Sequence, residues 1–363
     1  MCFHQYERGL SKLKTGKKLR YLVTGASGFL GYHTCRYLVE KGHAVTGVDI
    51  TDFDYPDLQE KITFLKGDIR DRELMAKAMT GVDTVIHSAA ALPLWSREEI
   101  YSINVDGTDA ILQTALDLTV PRVVFISSTA VYGIPEEHPV TEEYPVRGVG
   151  PYGESKIAAE DTCFRFRDKG LCVPVLRPKT FAGPMRLGVF QILCDWVRDS
   201  RNIPIIGSGR NRYQLLHIDD LVEAIYLVST APVSKANDTY NVGATQFQTM
   251  REDLQELLDY AGFGKRVKPI PSWLVIPALK VLERFHLSPL YEWVYETAGK
   301  DHYVSVEKLQ SKLGWSAHKT TADVWIDTYR WYLDEYKARR IETGVSHRVA
   351  WDQGILKLVK LLF

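Results

Sequence analysis

The stretch Ser127-Ser-Thr-Ala-Val-Tyr-Gly133 is followed downstream by Tyr152-Gly-Glu-Ser-Lys156. On a helix, Tyr152 and Lys156 stand one turn apart and share a face. A lysine ammonium beside a phenol favours the phenolate and lowers the tyrosine's pKa towards the working range. A tyrosine so tuned takes or gives the proton that accompanies hydride transfer at an alcohol or ketone carbon. Ser128 is placed to hydrogen-bond the same oxygen. A Tyr–Lys pair at this spacing is also an ordinary surface contact, so its meaning depends on what precedes it.

What precedes it is Thr24-Gly-Ala-Ser-Gly-Phe-Leu-Gly31, which follows a short apolar run and opens a stretch of helical period. Free backbone N–H groups and the positive end of the helix dipole make such a turn a cradle for a pyrophosphate. Gly25 makes the turn, Gly28 lets the backbone approach the phosphates, and Gly31 lets the helix sit close to the strand. The second apolar run ends in Gly47-Val-Asp49, whose carboxylate is suited to adenosine ribose hydroxyls and repels a 2′-phosphate. No arginine follows Asp49 directly, which points to NAD over NADP. Asp68, in Gly67-Asp68-Ile69, lies where an adenine edge is expected; its competing role is to cap a helix over Arg70–Met79.

The elements that must position these groups have a regular rhythm. Val- and Ile-rich runs at Tyr21–Thr24, Ala44–Asp49, Ile62–Leu65, Thr84–His87, Val123–Ser127 and Val173–Leu176 alternate with helical stretches at Leu30–Lys41, Arg72–Met79, Ile103–Leu118 and Tyr152–Lys169. Continuous apolar strands separated by helices predict a doubly wound α/β fold with a parallel, Rossmann-type sheet. Residues 1–19 read as a basic leader and 20–178 as the dinucleotide-binding domain, which 214–245 rejoin through a helix and the strand Thr239–Val242. Residues 179–213, with a helix near Val189–Asp199, and the mainly helical 246–340 read as a smaller substrate lobe, with 341–363 as a tail.

Bulk properties narrow the class. The 363 residues carry 45 Lys+Arg and 45 Asp+Glu, a formal net charge of zero, which gives no sign of a nucleic-acid partner. The five cysteines (Cys2, Cys35, Cys163, Cys172, Cys194) lack metal-ligand or redox-pair spacing, so no metal site is expected and reduced thiols in a cytoplasmic protein are. No signal-peptide core or bilayer-spanning run is present.

The motifs together resemble the extended short-chain dehydrogenase/reductases, the NAD-dependent epimerase/dehydratase family, over roughly Leu19 to Tyr336. Carrying the resemblance are Thr24–Gly31, Asp49, Gly67–Asp71, His87-Ser-Ala-Ala90, Asn104-Val-Asp-Gly-Thr108, Ser127–Gly133, Tyr152–Lys156, Arg177-Pro178 and His217-Ile-Asp-Asp220. It implies Tyr152 as acid/base, Lys156 on the nicotinamide ribose and Ser128 on the substrate oxygen. It further implies NAD contacts from Ser27, Phe29 and Leu30 in the glycine loop, Asp68, Ile69, Ser88, Ala89, Ala90, Asn104, Ser127, Pro178 and Thr180. Substrate contacts are expected from Leu92, Trp95, Thr129, Ala130, Lys179, Phe190, Arg212 and Tyr213. A homodimer is expected because this fold often pairs through the Tyr–Lys helix.

Several positions depart from the family pattern. Dehydratases resemble Thr-Asp-Glu-Val-Tyr-Gly where this chain has Ser128, Thr129 and Ala130, so the acid pair that expels water is missing. Nucleotide-sugar members carry Asn after the Arg-Pro pair, where this chain has Lys179 and Thr180, and an Arg where Tyr213 stands beside Arg212. The tail Trp351–Phe363 places Trp351, Ile355, Leu358, Val359 and Leu362 on one face opposite Lys357 and Lys360, as in an interfacial helix making peripheral membrane contact. The expectation is an NAD-dependent oxidoreductase acting on a small-molecule secondary alcohol or ketone. A nucleotide-sugar epimerase or dehydrogenase comes first. A hydroxysteroid-dehydrogenase-like enzyme for a lipid-like alcohol is second, and a non-catalytic NAD-sensing module third.

Overall fold

Seven parallel strands carry the site, hydrogen-bonded in the order β10-β6-β5-β4-β1-β2-β3. The computed structural model describes residues 18–93, 95–284, 299–338 and 360; the tail helix expected over 351–363 lies outside them except at Lys360. The first six strands are β1 (Arg20–Thr24), β2 (Ala44–Asp49), β3 (Thr63–Lys66), β4 (Thr84–His87), β5 (Val123–Ile126) and β6 (Val175–Pro178). β6 begins later than the apolar run suggests, because Pro174 has no N–H for the ladder. Of the later strands, β7 (Phe181–Ala182) pairs with β9 (Leu216–His217), and β8 (Ile203–Ile206) pairs with β11 (Val267–Ile270). β10 (Thr239–Val242) returns to the main sheet beside β6.

Side chains alternate across the strands, and both faces are buried. Tyr21 and Val23 of β1 join one core with α1 (Phe29–Glu40), while Leu22 joins the other with α2 (Arg72–Met79). That doubly buried state is why the strands read as unbroken apolar runs. The expected helix over Ile103–Leu118 divides into α3 (Arg97–Tyr101), a π-helical turn at Ser102–Asp106 and α4 (Gly107–Asp117). Next, α5 (Gly150–Asp168) packs on α4 and brings Ala159, Cys163 and Phe166 to the second core. Pro151 sits in the first turn of α5, where a missing N–H costs little.

After β7 the chain builds a lobe from α6 (Val189–Arg198), later joined by α9 (Met250–Ala261), α10 (Ser272–Arg284) and α12 (Thr321–Ala338), whereas α11 (Glu307–Leu313), expected in the lobe, packs beside β10 with Leu309 in the core that β1 and α1 share. Between them α7 (Ile218–Thr230) and the short α8 (Val233–Ala236) lie on the α1 side of the sheet. The His217-Ile-Asp-Asp220 motif is structural here. His217 Nδ1 accepts the Asp219 N–H at 3.2 Å to cap α7, and the Asp220 carboxylate accepts from the backbone N–H groups of His318 and Lys319. Buried Arg122 donates to the Val228 and Ala231 carbonyls, both at 2.7 Å, closing the other end of α7. Among the described residues, no helix is long and apolar enough to cross a membrane.

Candidate active site

Strand order reverses between β1 and β4, where a doubly wound sheet opens a crevice at its carboxyl edge. A cleft of about 1690 Å³ lies there, lined by the glycine loop at one side and by Ser128, Tyr152 and Lys156 at the other. The turn at its base is sterically demanding. Gly25 has φ of +70° and a Cβ there would lie 2.8 Å from Ala89; at Gly31 a Cβ would lie 1.9 Å from the Gly25 carbonyl oxygen. Gly28 caps α1 without a side-chain hydrogen bond, and no acid stands in the first turn. A glycine cradle with an uncapped helix start suits the diphosphate of NAD.

The surrounding strand ends complete this pocket. Asp49 at the end of β2 accepts the Ser27 N–H at 3.0 Å and the Thr51 N–H and hydroxyl at 2.9 Å. Ser88 donates to the Thr24 carbonyl at 2.6 Å and lines the cleft with Ala89 and Ala90. Asp68 does not cap α2; Asp71 does, accepting from Glu73 and Leu74. Asp68 instead grips Arg70, which holds its carboxyl below the usual carboxylate range, and both residues line the cleft with Ile69.

Tyr152 occupies the first turn of α5 and Lys156 the next. Ser128 lines the cleft with Tyr152 and accepts the Ala130 N–H at 3.1 Å. Lys156, 3 % exposed, donates to the Ile126 carbonyl at 2.9 Å, with its ammonium 5.9 Å from the Tyr152 ring centre. The expectation that it lowers the Tyr152 pKa is therefore corrected. Burial pushes the phenol up, while Ser128 and the positive charge of Arg186 pull it down. Burial lowers Lys156 itself to about 8. Behind Ser128, the Ser127 hydroxyl donates to Glu160 at 2.5 Å, and Arg177 closes on the same carboxylate at 2.5–3.2 Å. Arg177 also donates to the Tyr132 hydroxyl at 2.8 Å, so the serine strand is backed by a dry polar chain.

Not every expected contact reaches the cleft. Leu92, Trp95, Thr129, Ala130, Pro178, Lys179 and Thr180 line it. Asn104 does not: buried in the π-helical turn, it accepts the Ala91 N–H at 2.8 Å and donates to Ser155 at 3.0 Å, fastening the loop after β4 to α5. Phe190 belongs to the lobe core against Trp325. Arg212 stacks on Phe247 and Tyr303 outside the cleft, because its strand segment pairs with Thr249. Tyr213 stands behind the wall, its hydroxyl 3.3 Å from that of Thr180. The Lys179 ammonium lies 4.9 Å from the Tyr213 ring centre and against His302 Nδ1, and burial lowers both groups well below their ordinary values.

The sequence reading passed over Arg186, which lines the cleft and bears on Tyr152. Its loop has unusual backbone: Gly183, Met185 and Gly188 have φ of +150°, +74° and +69°. For Met185 that costs about 1–3 kcal/mol, a strain that collects at functional sites. The signal was present in the sequence as an arginine two residues after the Gly183-Pro184 break and two before Gly188.

Known proteins share this architecture. Residues 21–243 match the NAD dependent epimerase/dehydratase family. Over 342 residues the chain is 35% identical to an uncharacterized protein of Sinorhizobium fredii, covering 93% of this chain and 85% of that one. It is 29% identical over 321 residues to the 2-alkyl-3-oxoalkanoate reductase of Stenotrophomonas maltophilia, covering 82% and 94%. Among solved structures, a dTDP-glucose 4,6-dehydratase from Streptomyces venezuelae with NAD bound superposes with a TM-score of 0.72 at 26% identity, covering 88% and 98%.

Proposed function

The chain belongs to the NAD dependent epimerase/dehydratase family, and we propose that it is an NAD-dependent oxidoreductase working at a secondary alcohol or ketone carbon of a nucleotide sugar. The observation that carries this is that Ser128, Tyr152 and Lys156 line one cleft with the glycine cradle. Bound NAD supplies a hydride acceptor or donor. Tyr152 exchanges the proton of the reacting C–OH, and Ser128 holds the same oxygen. In the cofactor-free protein the raised phenol keeps its proton at neutral pH, the state that donates to a ketone. Positions 128–130 offer Ser, Thr and Ala, with no acid pair to expel water, so the reading is redox or epimerisation and not dehydration.

One observation favours a second reading, a lipid-like alcohol. Trp95, Ile134 and Val149 line the cleft yet are 37%, 39% and 50% exposed, an apolar rim suited to an alkyl chain. The oxoalkanoate reductase relative accords with it. Tyr152→Phe tests the chemistry common to both readings: turnover falls at least about a hundredfold with NAD affinity nearly unchanged, and retained turnover refutes the assignment. A thermal-shift panel of UDP- and dTDP-sugars against sterols and 3-oxoalkanoates separates the substrates, because the true ligand raises the melting temperature.

A further inference from the structure

The loop 183–188 brings Met185, Arg186 and Leu187 to the cleft wall, on backbone of positive φ at Gly183, Met185 and Gly188. Strained backbone of this kind persists only where its surroundings over-determine it. One hold is the loop's own bond from the Arg186 N–H to the Gly183 carbonyl at 3.1 Å. Another comes from α1, the helix that begins at the dinucleotide cradle. His33 is 2% exposed, and its Nε2 lies 3.0 Å from the carbonyl oxygen of Pro184, the residue directly before Met185. The His33 ring also packs edge-on to Phe29, with 5.0 Å between centres, and the Arg186 guanidinium carbon lies 5.1 Å from the centre of that same Phe29. Phe29 and His33 stand one helical turn apart, so one face of α1 seats both the Pro184 carbonyl and the Arg186 side chain.

The partners of the His33 ring fix its state. A ring nitrogen that faces a carbonyl oxygen carries a proton, and one that faces an arginine N–H is bare. Arg36 Nη2 lies 3.3 Å from His33 Nδ1, so the ring is the neutral Nε2–H tautomer. Burial, with the Arg36 charge beside it, lowers His33 to about 3, and the ring stays neutral throughout the range in which a histidine ordinarily titrates. We propose that His33 is a positioning residue that couples the dinucleotide cradle to the loop 183–188 by donating its Nε2–H to the Pro184 carbonyl. When the cradle is ordered around a dinucleotide, His33 passes that order to the loop and so to Arg186, whose charge bears on the Tyr152 phenol. This coupling requires NAD in the cradle and is independent of which substrate the cleft takes.

Amide hydrogen exchange read by mass spectrometry tests the coupling in the full chain, with NAD as the probe. Wild type, His33→Phe and His33→Gln are compared with and without NAD, at a saturating concentration set by calorimetric titration of each protein. In wild type, NAD slows exchange in peptides spanning 183–188. His33→Phe keeps a ring against Phe29 but loses the donor. Exchange in the loop then rises about five- to tenfold, and NAD no longer slows it. His33→Gln keeps an N–H donor and restores most of the protection. Peptides of β1 and β4 exchange at the wild-type rate in both variants. NAD slowing the loop equally in wild type and His33→Phe overturns the proposal, as does NAD failing to bind wild type or to slow its loop. So does a rise spread evenly over the loop and the central strands, the mark of a merely structural role. If His33→Phe does not fold, nitrogen NMR of the histidines of wild type decides. The resonance missing from His33→Gln must report a neutral ring protonated at Nε2 from about pH 5 to about 9, and a titrating ring or an Nδ1–H tautomer overturns the coupling. Turnover of Tyr152→Phe tests the proposed function separately from these exchange rates.

Discussion

Lys156 donates to the carbonyl of Ile126 at 2.9 Å, not to the phenol with which it shares a helix face. The amine is anchored to the end of β5, within reach of the cleft, and its ammonium is nearly cut off from water. Burial lowers it from 10.5 to about 8. The unfolded chain therefore binds this proton more tightly than the folded one between about pH 8 and 10.5. Over that window the Lys156 contribution to stability rises with pH; below pH 8 both states are charged and the full burial penalty is present. The gap between wild type and Lys156→Met, measured by urea unfolding of the cofactor-free protein, should shift towards wild type by up to about 3 kcal/mol from pH 7.5 to 10.5. A pH-independent gap would refute the assignment.

Tyr152 experiences opposing influences: burial raises its phenol, and the Ser128 hydroxyl and Arg186 charge lower it. Ser128→Ala removes one lowering influence and one hold on the reacting oxygen. The pKa of the basic group in the pH–rate profile should move up and kcat fall about ten- to a hundredfold. An unshifted profile would mean that Ser128 does not bond the phenol during turnover.

The Glu160–Arg177 pair is buried at both ends, with side-chain exposures of 3% and 6%. Breaking such a pair leaves an uncompensated charge in a dry interior. Glu160→Gln should cost about 3–5 kcal/mol of stability, read by denaturant melting. Ser127→Ala, which leaves the ion pair whole, should cost about 1 kcal/mol.

The glycine loop, Asp49 and the Tyr152–Lys156 spacing were legible because each depends on local geometry: a turn, a strand end, one helical turn. Phe190, Arg212 and Tyr213 were not. Their orientation is set by long-range pairing, Arg212 against Thr249 and Tyr213 against His302, which no local pattern encodes. Asn104 read as a cofactor contact because its type and position fit one. The π-helical turn instead directs its amide to Ala91 and Ser155. The sheet was legible for a more general reason: strands buried on both faces must be apolar throughout, whereas the lobe's helices share their aromatic residues with any mixed core.

Gly31 offers a steric test of the cradle. A Cβ would lie 1.9 Å from the Gly25 carbonyl oxygen and 2.7 Å from Ala26 Cα, all backbone of the same turn. Relief requires moving α1 off β1. Gly31→Ala should therefore lose about 1–3 kcal/mol or more and weaken NAD binding together. Gly42→Ala is the contrast: φ is +82° there, but nothing lies within 4 Å of its Cβ, so it should cost only about 1 kcal/mol of backbone strain and leave NAD affinity unchanged.

Asp49 bears on cofactor choice. Its carboxylate already accepts from Ser27 and Thr51, so it is held rigidly at the end of β2 inside the cleft. A fixed negative charge there favours ribose hydroxyls and repels a 2′-phosphate. Wild type should bind NAD at least about tenfold more tightly than NADP, a difference of about 1.4 kcal/mol. Asp49→Ser should narrow the ratio mainly by weakening NAD, because the Ser27 and Thr51 N–H groups remain to meet a phosphate. Arg70 lies on the same cleft but is engaged by Asp68, so Asp49→Ser combined with Asp68→Asn should free it and move the preference further towards NADP. Equal NAD and NADP affinities in wild type would show that Asp49 serves only to brace the loop.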